Sequence, residues 1–155
     1  MRRFERQADG SVVAEIEDAE VTLLTTLTHQ AAAVVGDADL DDPAVQRILP
    51  DAYPDDAEAS AEFRRFTQAD LAGRKLANAA RILDCLERVD SGSLTLGHED
   101  VTAWLRGLTD IRLILATRLG IETDDDLGAS ADPMMRDVYD WLGFVQNSLV
   151  EAIDA

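Results

Sequence analysis

His98–Gly120, HEDVTAWLRGLTDIRLILATRLG, carries the strongest helical signal in the chain. At about 100° of rotation per residue, Val101, Trp104, Leu105, Leu108, Ile111, Leu115, Ala116 and Leu119 fall on one broad arc. Arg112 lies near the centre of that arc, a charge on an apolar face. Arg106, Asp110 and Thr117 lie opposite, and Leu113 and Ile114 interrupt that polar side. A helix apolar nearly all round is a central one, so this segment is predicted to touch neighbours on more than one face. Gly120 supplies the stop, because it can take the left-handed conformation just past a helix end.

Upstream, residues 3–16 read as a β-hairpin. Ala8-Asp9-Gly10 suits a three-residue loop with Gly10 left-handed. That register pairs Phe4 with Ala14 and Arg3 with Glu15, and puts Phe4, Val12, Ala14 and Ile16 on one face. A lone hairpin is marginal, so this one must dock. A first helix follows from Glu17 to Val35, with Asp18 as N-cap and Gly36 as terminator. Its stripe is Val21, Leu24, Leu27, Thr28, Ala31, Val34 and Val35, with His29 outside it.

Asp37, Asp39 and Asp41 imitate the first ligands of a calcium loop. The imitation fails where Asp42 replaces the required glycine and Ile48 the bidentate glutamate. Asp42-Pro43 reads instead as the start of a short helix that ends before Pro50. Leu49 to Pro54 is a proline-punctuated link. Asp55 to Val89 is helical with a break near Thr67-Gln68-Ala69-Asp70, a capping-box pattern. Phe63 and Phe66 would anchor the first part. Leu71, Ala72, Leu76, Ala79, Ile82, Leu83 and Leu86 stripe the second, with Lys75 inside the stripe. Leu94-Thr95-Leu96 is a short extended piece. Beyond the central helix lies an acidic connector, and Asp132-Pro133 opens a last helix striped by Met134, Val138, Trp141, Leu142, Val145, Leu149 and Ile153, with Tyr139 and Gln146 on its flank.

These elements give a mainly α, single-domain helical bundle of about five or six helices with an N-terminal β-hairpin: hairpin 3–16, bundle 17–155. The 155 residues carry a net charge of −17. Thr67 to Gly120 holds seven basic and seven acidic residues, so the excess lies before and after it. Such a charge opposes binding to nucleic acid and to anionic membranes. It suits a soluble surface or a basic protein partner. With Cys85 as the single cysteine, no intrachain disulfide forms, and its place in a helical pattern suits a packed thiol. No signal peptide or apolar run of the roughly 20 residues that span a bilayer is seen. The expected location is the cytoplasm.

No nucleotide loop, nucleophile elbow or zinc motif is present. Catalytic, cofactor and metal residues are therefore not assigned, and a non-enzymatic protein is expected. His98 at a helix start is a cap or solvent residue. Two cations stand out instead, Lys75 and Arg112, because a buried charge needs a partner. Tyr139 and Gln146 are the candidate partners. These four residues form either a buried polar network that fixes helix register or contacts to a small anion or peptide carboxylate.

Ala103-Trp104-Leu105, Leu108, Asp110-Ile111-Arg112-Leu113 and Thr117-Arg118-Leu119-Gly120 resemble the core signature of the actinobacterial domain-of-unknown-function family 2017. Phe63-Arg64, Lys75, the opening Arg-Arg-Phe and Tyr139-Asp140-Trp141-Leu142 with Gln146 support it. Thr109 and Ala116 stand where the family pattern more often has Asn and Gly. The resemblance implies no established activity. It implies genomic company with the Clp protease adaptor ClpS, and some members carry the label of transcriptional regulator. The function expected is a protein-interaction module, with the Clp system as one candidate partner. The alternatives are a transcriptional regulator and a small-anion or peptide-carboxylate binder using Arg112 and Lys75. A homo-oligomer would follow if the first or last helix left an apolar face uncovered.

Overall fold

The computed structural model describes residues 1–50, 61–62, 64–121 and 132–155. The expectations for Asp51 to Pro54, for Phe63 and for the acidic connector after Ile121 lie outside those residues, wholly or in their greater part. The described elements run β1 (Glu5–Arg6), β2 (Val12–Glu15), α1 (Asp18–Asp37), α2 (Pro43–Ile48), α3 (Ala69–Glu87), β3 (Ser93–Leu96), α4 (His98–Leu119) and α5 (Pro133–Asp154). The fold is mainly α, and the elements named for the described residues are five helices and a small antiparallel sheet in the order β1-β2-β3.

The hairpin has the register that its loop dictates, with Glu5 opposite Val13 and Arg6 opposite Val12. Gly10 takes φ 88°, where a side chain would be strained. The extended piece after α3 is a full third strand: Leu94 faces Ala14 and Leu96 faces Val12. Phe4, Val12, Ala14 and Ile16 are all buried, so one face of the sheet closes the bundle. The backbone N–H of Phe4 donates to Ser148 Oγ at 2.7 Å, which fixes the hairpin to α5.

Helix ends follow capping chemistry, with two corrections. Glu17, not Asp18, is the N-cap of α1; its N–H donates to Glu20 Oε1 at 3.0 Å. Gly36 does not end that helix, which runs to Asp37 and stops at Ala38 in the left-handed conformation, φ 47°. Asp42 and Asp132 each accept a hydrogen bond from the N–H two residues on, with proline at the first helical position. Gly120 takes φ 71° and ends α4.

The capping box at Thr67 to Asp70 does not restart a helix. A π-helical turn, Arg64–Gln68, leads into α3 with Gln68 itself in helical conformation. Phe66 is no anchor, being 80% exposed. On α5, Leu142, Val145 and Leu149 are sealed, whereas Met134 and Ile153 at its two ends face solvent.

α4 is the hub. α1, α2, α3, α5 and β3 all contact it. Trp104 and Leu108 are fully buried at its centre. The side holding Gly107, Asp110 and Ile114 is buried as well, against α3. Gly107 has a reason to lack a side chain: a Cβ there would sit 2.3 Å from Cδ1 of Ile82. The two helices thus approach where glycine permits it.

Candidate functional site

Lys75 and Arg112 solve the problem of a charge in a helix core differently. Lys75 extends from α3 to Asp110 on α4, with Nζ 2.6 Å from Oδ1. Both side chains are largely withdrawn from water, 16% and 12% exposed. Asp110 lies on the polar side of α4 opposite Arg112 and is nevertheless withdrawn from solvent. It faces α3. Losing either partner would leave the other, largely withdrawn from water, without its counter-charge.

Arg112 has a different set of neighbours, spread along α5. Its guanidinium lies over the ring of Tyr139, 4.4 Å from the centroid. Nη1 donates to Gln146 Oε1 over a long 3.4 Å. The other end of the Gln146 amide completes the set. Nε2 donates to Thr109 Oγ1 at 2.6 Å and to the Leu105 carbonyl at 3.3 Å. Thr109 in turn donates to Leu105 O at 2.9 Å, so its hydroxyl both gives and receives. Gly143 makes room for the guanidinium, since a Cβ there would lie 3.0 Å from Nη2.

The four residues singled out in the sequence thus fall into two clusters. Arg112, Tyr139 and Gln146 meet on the α4–α5 seam, and Lys75 belongs with Asp110 on the α3–α4 seam. Asp110, Thr109 and Gly143 are the members that sequence reasoning missed. A signal for Asp110 existed: Gly107, Asp110 and Ile114 share a face at spacings of three and four, and glycine with isoleucine on a face marks contact.

A third cluster surrounds Cys85, which is 1% exposed. Arg88 Nη2 donates to its sulfur at 3.2 Å. Burial nevertheless raises the thiol pKa above its ordinary value, against the pull of this donor. Asp42 shows the opposite shift. Two hydrogen bonds from Arg118, at 2.7 and 2.8 Å, and one from the Ala44 N–H bring its pKa down from 3.8 to about 2. The carboxylate that stands at the glycine position of the imitation calcium loop is committed to this cap. No three His, Cys, Asp or Glu side chains converge on a metal position among the described residues.

Between α3 and α5, above α4, lies an open groove of about 600 Å³. Lys75, Thr109, Asp110 and Gln146 all reach its floor or walls, so both clusters border it. The outer parts carry Arg74 and Arg106 together with Leu71, Leu105 and Val150. It presents amide, hydroxyl, guanidinium and apolar groups together with the paired ammonium and carboxylate of Lys75 and Asp110.

No described helix is long and apolar enough to cross a membrane. Residues 1–153 match the family described as Domain of unknown function (DUF2017). A Mycobacterium leprae protein named "Putative oxidative stress regulator AosR" is similar to the chain, 30% identical over 131 residues. That match covers 74% of this chain and 60% of the relative. No solved structure matches.

Proposed function

The chain belongs to the DUF2017 family, and from that premise we propose that it is a non-enzymatic regulatory module that acts by binding another protein. The way its charged side chains are used carries the reading. Lys75 and Arg112, the cations on apolar helical faces, are committed to Asp110 and to the Tyr139–Gln146 cluster. Among the described residues most surface arginines face a carboxylate of their own chain, as Arg2 with Glu15, Arg3 with Glu151, Arg81 with Glu99, Arg118 with Asp42 and Arg136 with Asp140. That pattern leaves little cationic surface for a phosphate backbone, and it favours protein over DNA as the partner. The relative's name, a regulator, supports the regulatory half.

That name mentions oxidative stress, and Cys85 does not suit a direct thiol sensor. A sensor cysteine is exposed and its pKa is depressed, whereas this thiol is sealed and its pKa raised. The native chain should leave Ellman's reagent unreacted until denaturant opens the fold. Rapid stoichiometric reaction would overturn this.

The protein-binding reading is tested by in-cell crosslinking and native co-purification, with Clp components scored alongside all others. A specific, saturable protein partner is the expected result. Recovery of DNA fragments in place of protein, or turnover of a small molecule by the purified chain, would refute it.

A further inference from the structure

We propose that the trough above α4 is the docking site for a helix of the partner protein, and that this helix presents acidic residues. The inference rests on the protein-binding reading and adds the place and the chemistry. α3 and α5 both pack on α4 but not on each other. They flank its outer face and leave an open trough along it, the arrangement that a further helix completes in a bundle. The groove of about 600 Å³ continues past Leu105 into a second cleft of about 330 Å³ bordered by Ile153. Apolar groups line the run: Leu105 is half-buried, and Val150 and Ile153 remain 40% and 37% exposed. An amphipathic helix would cover them with residues spaced three and four apart.

Charge identifies the occupant. Arg106 stands on this trough, exposed, and no hydrogen bond or ion pair engages it. Among the arginines whose side chains are described it alone lacks a partner. Arg74, across the trough on α3, has only Asp70 on its own helix, an exposed pair that an incoming carboxylate can replace at little cost. The net charge of −17 favours a basic partner over the surface as a whole, but this trough bears two available guanidiniums and selects acidic side chains locally. The apolar lining suits a helix with an apolar face and disfavours a nucleic acid there.

The test uses the full chain labelled with ¹⁵N and two synthetic amphipathic helical peptides. One carries glutamates on its polar face, and the other carries lysines at the same positions. The acidic peptide should shift amides in Leu71–Asn78, Thr102–Thr109 and Gln146–Ile153. Arg106→Glu should weaken it at least tenfold, with the fold unchanged by circular dichroism, and Arg2→Glu should leave it unaltered. Equal binding of both peptides, shifts elsewhere, or no shifts at millimolar peptide would overturn the docking site. A cellular partner whose capture is indifferent to Arg106→Glu would overturn the site while leaving the protein-binding reading intact. Absence of any cellular partner would strike at that reading itself.

Discussion

The α3–α4 seam and the α4–α5 seam each hold one cation on an apolar helical face, and they satisfy it with different chemistry. Lys75 is a compact point charge and meets a carboxylate, Asp110, at 2.6 Å. Arg112 is planar and delocalised, and it takes an aromatic face, a glutamine amide and the space left by Gly143. The first seam concentrates its electrostatics in one bond. The second spreads them over several weak contacts. A single substitution should therefore be severe in one place and graded in the other.

The sharpest way to break this contrast is Asp110→Ala. It strands the Lys75 ammonium among Ala79, Ile82 and Ile111, and should cost about 3 kcal/mol in urea unfolding. The double change Lys75→Met with Asp110→Leu should return to within about 1 kcal/mol of the parent. If the single and double variants are equally unstable, packing and not charge governs that seam. A smaller effect is expected from Arg112→Lys. An ammonium cannot lie flat on Tyr139 or reach Gln146 in the same way, so the loss should be about 1 kcal/mol by thermal unfolding. A loss as large as that of Asp110→Ala would erase the distinction between the seams. The smallest effect belongs to an exposed pair that serves as the reference. Asp42, lowered to about 2 by Arg118, contributes stability above its ordinary 3.8 and loses it as pH falls through 2. Asp42→Asn keeps the cap but removes the charge, so its melting temperature should fall less steeply over that window. High salt should narrow the difference.

Much of this molecule is legible in its sequence. Proline and aspartate mark the starts of α2 and α5, Gly10 marks the hairpin loop, and the all-round apolar character of His98–Gly120 marks the hub. The helix ends at Gly36 and at Thr67 were not, because local propensity there is overridden. α1 continues through Gly36 to a left-handed Ala38, and the π turn carries the chain past its capping box. At the site, periodicity locates a charge on a face but does not say which neighbour covers that face. Lys75 and Arg112 are visible for that reason, whereas the pattern puts Asp110 only on the polar side opposite Arg112 and does not reveal that this side is the interface with α3. Thr109 and Gly143 act through partners on other helices, and single-helix patterns do not contain that information.

The third strand has a consequence for how the chain reaches its fold. Ala14 must find Leu94, and Phe4 must find Ser148, before the sheet can close. Both closures join distant parts of the chain and fix little backbone until they are complete. Helical contacts such as Lys75 with Asp110 span much shorter loops. Contacts of high sequence separation delay folding, so α3 and α5 should gather on α4 first and the sheet should clasp them last. Amide exchange started at successive refolding times should then show α4 protected before β2.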